Sequence, residues 1–207
     1  MVDMMLQSTK LMITKWDDCI KVHGRVVAEI SVGNDLRGLS ADVISRTCFG
    51  SSYSKGKQIF SQLRALQSLI ASKNVLFGLP TSGLLSTRKQ NEINSLEKEI
   101  GHLIWETIEE RKKECFKEKS CEKDFLQHIL QGAAMSDMGK DSSKKFIVDN
   151  CKNIYFAGHE STAVAAAWCL MLLALHPEWQ DQIRKEISLV SPGGALDSHS
   201  LSKVKTV

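Results

Sequence analysis

The 207 residues predict an all-α chain, and three observations carry that prediction. Apolar residues recur three and four apart through most of the length, and no stretch reads as a strand. The longest apolar run, residues 153–175, ends just before Pro177, as a helix does.

In chain order, residues 1–28 have a helical pattern, with Met5, Met12, Trp16 and Ile20 spaced to share a face. Gly33-Asn34-Asp35 reads as punctuation before a second helix that runs to about Gly50, with Ala41, Ile44 and Cys48 on one face of its second half. Residues 51–56 read as a turn. Ile59, Leu63, Leu66 and Ile70 place a helix over 57–74, and Gly78, Pro80 and Gly83 mark residues 77–86 as the clearest loop. A long helix follows to about Lys117, capped by Ser86 or Thr87, with Ile93, Leu96, Ile100, Leu103, Ile104 and Ile108 as its stripe. The mixed charges of 111–123 read as a solvated helix end and loop. Residues 123–132 form a short amphipathic helix, and 133–143 are polar and the preferred proteolytic nick site. The central helix extends from near Ser143 to His176, the next from Pro177 through Leu189, and residues 191–194 make a turn. The chain shows no repeat or low-complexity tract.

Composition narrows the function classes. With 43% hydrophobic residues the chain can build a core, and a formal net charge of +3 with scattered lysines does not suit a nucleic-acid partner. Six cysteines, neither dense nor paired, read as reduced thiols. Cys115 and Cys121 lack the further ligands of a zinc site. The apolar part of the central helix, 163–175, is shorter than the roughly 20 residues a bilayer requires, so no transmembrane or targeting segment is expected.

The chemistry concentrates in the central helix. Between Lys152 and Glu178, histidines apart, Glu160 is the sole acid or base. An unpaired buried carboxylate costs several kcal/mol, so this one needs a partner, water or a task. Gly158, Ser161, Thr162, Ala165, Ala166 and Cys169 follow at helical spacings and form a shallow trough against which something flat can lie, closest at Gly158. Small residues alone read as close helix packing. Combined with a carboxylate and adjacent hydroxyls, they read as a site.

The run Ala157-Gly158-His159-Glu160-Ser161-Thr162 resembles the oxygen-binding motif on the long central helix of cytochromes P450. Phe156 and the stretch 176–187 resemble the flanks of that motif in plant members, and 155–180 resembles the clan with gibberellin-modifying monooxygenases. The resemblance covers nearly the whole chain, as the middle of a longer protein and as the helical part of the P450 fold, without its anchor, β-sheet region and haem-thiolate loop. It implies a haem-dependent monooxygenase, with NADPH electrons arriving through a reductase, an apolar small-molecule substrate and, for the full-length protein, the endoplasmic reticulum membrane.

Carried over by position, Ala157 and Gly158 make room over the haem, and Glu160 with Ser161 and Thr162 delivers protons. Serine stands at 161 where threonine is usual, so either Ser161 or Thr162 orients the relay. Loop 76–86 resembles the roof of the active site, with Phe77 and Leu79 as substrate contacts and a possible dip into the membrane. Arg46-Thr47-Cys48-Phe49-Gly50 matches the tail of the family's haem-binding loop, but it precedes the oxygen-binding helix and lacks the loop's head. Cys48 is therefore read as a decoy, and no axial cysteine is assigned. It follows that this chain by itself is expected not to hold haem stably. The alternative is a helical interaction module without chemistry. A third reading, His159 and Glu160 as an acid-base pair, is disfavoured by the roughly 100° between successive helical side chains.

Overall fold

Apolar stripes at helical spacing do produce helices throughout the computed structural model, which describes residues 2–22, 27–50, 53–74, 83–118, 125–193 and 196–205. The helices are α1 (Val2–Val22), α2 (Val32–Phe49), α3 (Tyr53–Asn74), α4 (Gly83–Glu118), α5 (Phe125–Met135), α6 (Lys140–Leu175), α7 (Pro177–Val190) and α8 (Ser198–Leu201). Among the described residues there is no strand.

Several boundaries differ from the sequence expectation, each for a local reason. Gly33-Asn34-Asp35 does not separate helices but forms the first turn of α2. The Ser31 carbonyl accepts from the Asn34 and Asp35 amides at 3.0 and 3.1 Å, and Asn34 Nδ2 donates to Ser31 Oγ at 2.9 Å. Residues 53–56 belong to α3 and 83–86 to α4, where a turn and part of a loop were expected; the rest of those two expectations, 51–52 and 77–82, lies outside the described residues. The polar stretch 133–143 keeps only 136–139 outside helices. In α1, which ends at Val22, Met12, Trp16 and Ile20 of the expected face are part-buried in line with buried Ser8, and Met5 alone of that set is exposed.

Two compact units are distinguished, Met1–Val43 with His159–Val207, and Ile44–Gly158. In the first, the inward residues include Leu36, Ser40, Ala41 and Ala163. Ser8 Oγ donates to the Asp42 carboxylate, joining α1 to α2. Asp35 accepts from Lys15 Nζ at 2.5 Å and from Trp16 Nε1 at 2.7 Å, a second tie between the same helices. Pro177 opens α7, and Gln180 Nε2 donates to the Leu173 carbonyl at 2.6 Å, satisfying an end-of-helix acceptor of α6. Asp197 and Ser200 cap α8 reciprocally.

In the second unit, α3 packs along α4. Ile59, Phe60 and Leu63 of α3 and Ile93, Ile100, Ile104 and Ile108 of α4 are buried, with Leu126 and Ile129 of α5 and Ile147, Val148, Cys151 and Tyr155 of α6. Tyr155 meets Phe60 edge to face, with ring centroids 5.0 Å apart and planes at 81°. Lys112 and Lys144 place their ammonium groups 4.8 and 4.7 Å from the Trp105 ring centre, joining α4 and α6 through one aromatic ring.

By length and composition the whole of α6 is apolar enough to cross a membrane, whereas the expectation rested on 163–175 alone. Only 11% of its most apolar window is buried within this chain. A helix whose apolar side is covered by other protein has the same composition, so length alone does not make it a span.

Candidate active site

Every residue of the motif lies on α6, whose face is divided by the helical period. Cys151, Tyr155, His159 and Ala163, four apart, form the buried side. Ala157, Ser161, Ala165 and Cys169, also four apart, form an exposed stripe that carries no bulky side chain. Thr162 is exposed beside them, and the large exposed apolar residues Phe156, Val164, Trp168 and Leu172 border the stripe. The expected trough therefore exists as open surface at Ala157, Ser161, Thr162 and Ala165.

At Gly158 the structure puts something else. A Cβ built there would lie 2.4 Å from Ile44 Cδ1 and 3.1 Å from its Cγ1. Close approach at this glycine is used by a side chain of α2, the close-packing reading of a small residue. The room against which a flat group can lie is the stripe that starts at Ala157.

Glu160 has the partner that its position demands. Arg37 of α2 donates through Nε to Oε1 and Oε2 at 3.0 and 3.2 Å, and its Nη2 lies 2.9 Å from Oε1. Both side chains keep about a third of their surface in water, at 30% and 32%, so the pair contributes about 1 kcal/mol rather than the larger value of a dry pair. The hydrogen bond to Glu160 holds the Arg37 guanidinium above its ordinary value, against the opposing effect of partial burial.

His159 Nδ1 lies 3.8 Å from Glu160 Oε2, beyond hydrogen-bonding distance, and its ring is buried while the carboxylate is held by Arg37. This arrangement does not favour an acid-base pair of the two. Sequence reasoning missed Arg37, although it did predict that the carboxylate needed a partner. With the two 123 positions apart in sequence, no local pattern joins them.

Phe77 and Leu79 lie outside the described residues. Cys48 is in the last turn of α2, on helical backbone, and its side chain is outside the described set. Among the described cysteines, Cys151 is buried and Cys169 exposed, and no group of three or more metal-ligating side chains occurs among the described residues. A groove of about 720 Å³ between α4 and α6, lined by Lys98, His102, Lys144, Asp149 and Lys152 among others, contains none of the motif residues.

The residues present fit one wall of a haem pocket. Ala157 and Ala165 offer a surface flat enough for a macrocycle, Phe156 and Trp168 offer apolar edges, and hydroxyls stand between them. Comparison with known proteins gives the family. The family model for Cytochrome P450 matches residues 1–204. The chain is 45% identical over 215 residues to "Cytochrome P450 714A2" of Arabidopsis thaliana, covering 100% of this chain and 41% of that protein. It is 44% identical over 207 residues to "Cytochrome P450 714B3" of Zea mays, covering 100% of this chain and 38% of that one. Among solved structures, the "cytochrome P450DA heme domain" superposes with a TM-score of 0.70 at 18% identity, over 99% of this chain and 43% of that chain. This chain thus spans about two fifths of the length of the curated relatives it matches.

Proposed function

The chain belongs to the cytochrome P450 family, and from that premise we propose that it forms the proton-delivering wall of a haem-thiolate monooxygenase acting on an apolar small molecule. Haem is the family's cofactor, with reductase-supplied electrons; in this protein they would come from NADPH through a cytochrome P450 reductase. The observation that carries the reading is the open small-residue stripe of α6 next to a carboxylate held by a guanidinium.

When bound, the haem supplies the redox chemistry of dioxygen. Ala157 and Ala165 would hold its face, and no residue of this chain is assigned as axial ligand. Inserting one oxygen atom into a substrate C–H or C=C bond, with the other leaving as water, consumes two electrons and two protons. Glu160 takes protons from solvent, to which it is about a third exposed. The hydroxyl of Ser161 or Thr162, on the open side of the helix, accepts a proton on one lone pair and releases its own. Gly158 serves this wall indirectly, since its missing side chain lets Ile44 close on α6.

A diterpenoid hormone such as a gibberellin is the first substrate to test, supported by the resemblance of 155–180 alone. The same resemblance supports Phe77 and Leu79 as substrate contacts in a lid formed by 76–86, and residence of the whole protein at the endoplasmic reticulum membrane. A second reading, a non-catalytic helical interaction module, draws on the exposure of Trp168, Leu172 and Leu175. The deciding experiment is E160Q in the full-length, haem-loaded enzyme. Product formed per NADPH should fall severalfold, with peroxide released instead. Unaltered coupling would remove the proton-delivery role.

A further inference from the structure

Glu160 is held by a residue that no motif contains, and the form of the contact matters more than its presence. Arg37 engages both carboxylate oxygens with two different nitrogens. A planar fork of this kind sets the rotation of the carboxylate as well as its charge, whereas an ammonium ion would set only the charge. Arg37 is itself well anchored, because Leu36, Ser40 and Ala41 around it on α2 are buried. One helical turn earlier stands Gly33, where an added Cβ would lie 3.5 Å from Arg37 Nη1, so the guanidinium passes over bare backbone. The nearest acid on α2, Asp35, has one oxygen engaged by Lys15 and the other by Trp16.

We infer that Arg37 is a positioning residue for the proton relay, holding the Glu160 carboxyl group oriented on the α2 side of α6 while Ser161 and Thr162 remain on the open side. The inference rests on the proton-delivery role proposed for Glu160. It adds that a second helix, far away in sequence, sets how that carboxylate works. Ser161 and Thr162, one and two residues onward, point about 100° and 200° round the helix from Glu160, so a proton that the oriented carboxyl takes up from solvent passes to them through water rather than by direct contact. Loss of the fork leaves the acid in place without the two-nitrogen contact that sets its rotation.

Two experiments test it. In the 207-residue chain, thermal unfolding of R37Q, E160Q and the double variant should show non-additive midpoint shifts, the double variant being no less stable than the worse single one. Additive shifts would overturn the contact itself.

In the full-length, haem-loaded enzyme, R37Q should lower product per NADPH severalfold and release peroxide, with substrate KM and haem content unchanged. R37K should recover part of the coupling, because it restores charge without the fork, and R37Q/E160Q should be no worse than E160Q. If E160Q uncouples the enzyme while R37Q does not, the Arg37 inference falls and the role of Glu160 stands. If E160Q itself is fully coupled, both fall. Should R37Q fail to load haem, R37K decides: coupling at the wild-type level overturns the orienting role, and intermediate coupling supports it.

Discussion

Adding a methyl group at Gly158 tests how α6 is seated against α2. The new Cβ would stand 2.4 Å from Ile44 Cδ1 and 3.1 Å from Cγ1, where carbon atoms normally rest about 3.5–4.0 Å apart. Overpacking of this size costs about 1–3 kcal/mol. Replacing a mid-helix glycine by alanine returns about 1 kcal/mol of helix propensity. The obstructing atoms are the end of a half-buried side chain, so Ile44 can rotate away only in part and the middle of the range, about 2 kcal/mol, applies. The expected outcome for G158A is therefore a net loss of about 1 kcal/mol, read by urea unfolding. I44V removes Cδ1 at a cost of about 1 kcal/mol by itself. In that background G158A should be neutral or mildly stabilising, giving a coupling of about 1 kcal/mol. Additive effects within about 0.3 kcal/mol, or a G158A variant more stable than the parent, would refute the packing argument.

Three further outcomes are expected. Ser45 Oγ is fully buried without a hydrogen-bond partner among the described residues, so S45A should raise stability by about 1 kcal/mol in the same unfolding assay; a loss of that size would mean the hydroxyl is bonded. The hydrogen bond from Lys15 holds the Asp35 carboxyl below its ordinary value, against partial burial and with help from Trp16. A depressed folded value adds stability above the unfolded value of about 3.9 and loses it as pH falls through the folded value, so D35N should cost stability at pH 7 and the two proteins should converge in acid. A constant difference across the titration would sink that assignment. Haem added to the chain should give no stoichiometric thiolate-type spectrum, since the residues assigned build one wall of the pocket; a stoichiometric spectrum would show a ligand within the chain.

The site was legible to the extent that its signals are local. A carboxylate inside an apolar helix, small residues four apart and a proline at the exit can all be read along one helix, and α6 bears them out in position. Boundaries were legible only to within a few residues. Gly33, Asn34 and Asp35 look like a break, yet Ser31 supplies the acceptors that turn them into a first helical turn. Residues 53–56 and 83–86 were extended into helices in the same way, since weak helix formers at an end follow the helix they adjoin.

The amino-acid sequence by itself determined that this protein is helical and that it belongs with the cytochromes P450, and it supplied Glu160 and the hydroxyls after it as the residues of the proposed proton delivery, because helical period and motif are properties of neighbours along the chain. Tertiary structure alone decided who meets whom. Ile44 fills the space at Gly158, and the open surface shifts to Ala157, Ser161 and Ala165. Arg37 reaches Glu160 across 123 residues, a pairing set by how α2 lies on α6 and by the cost of leaving a half-buried carboxylate without a cation.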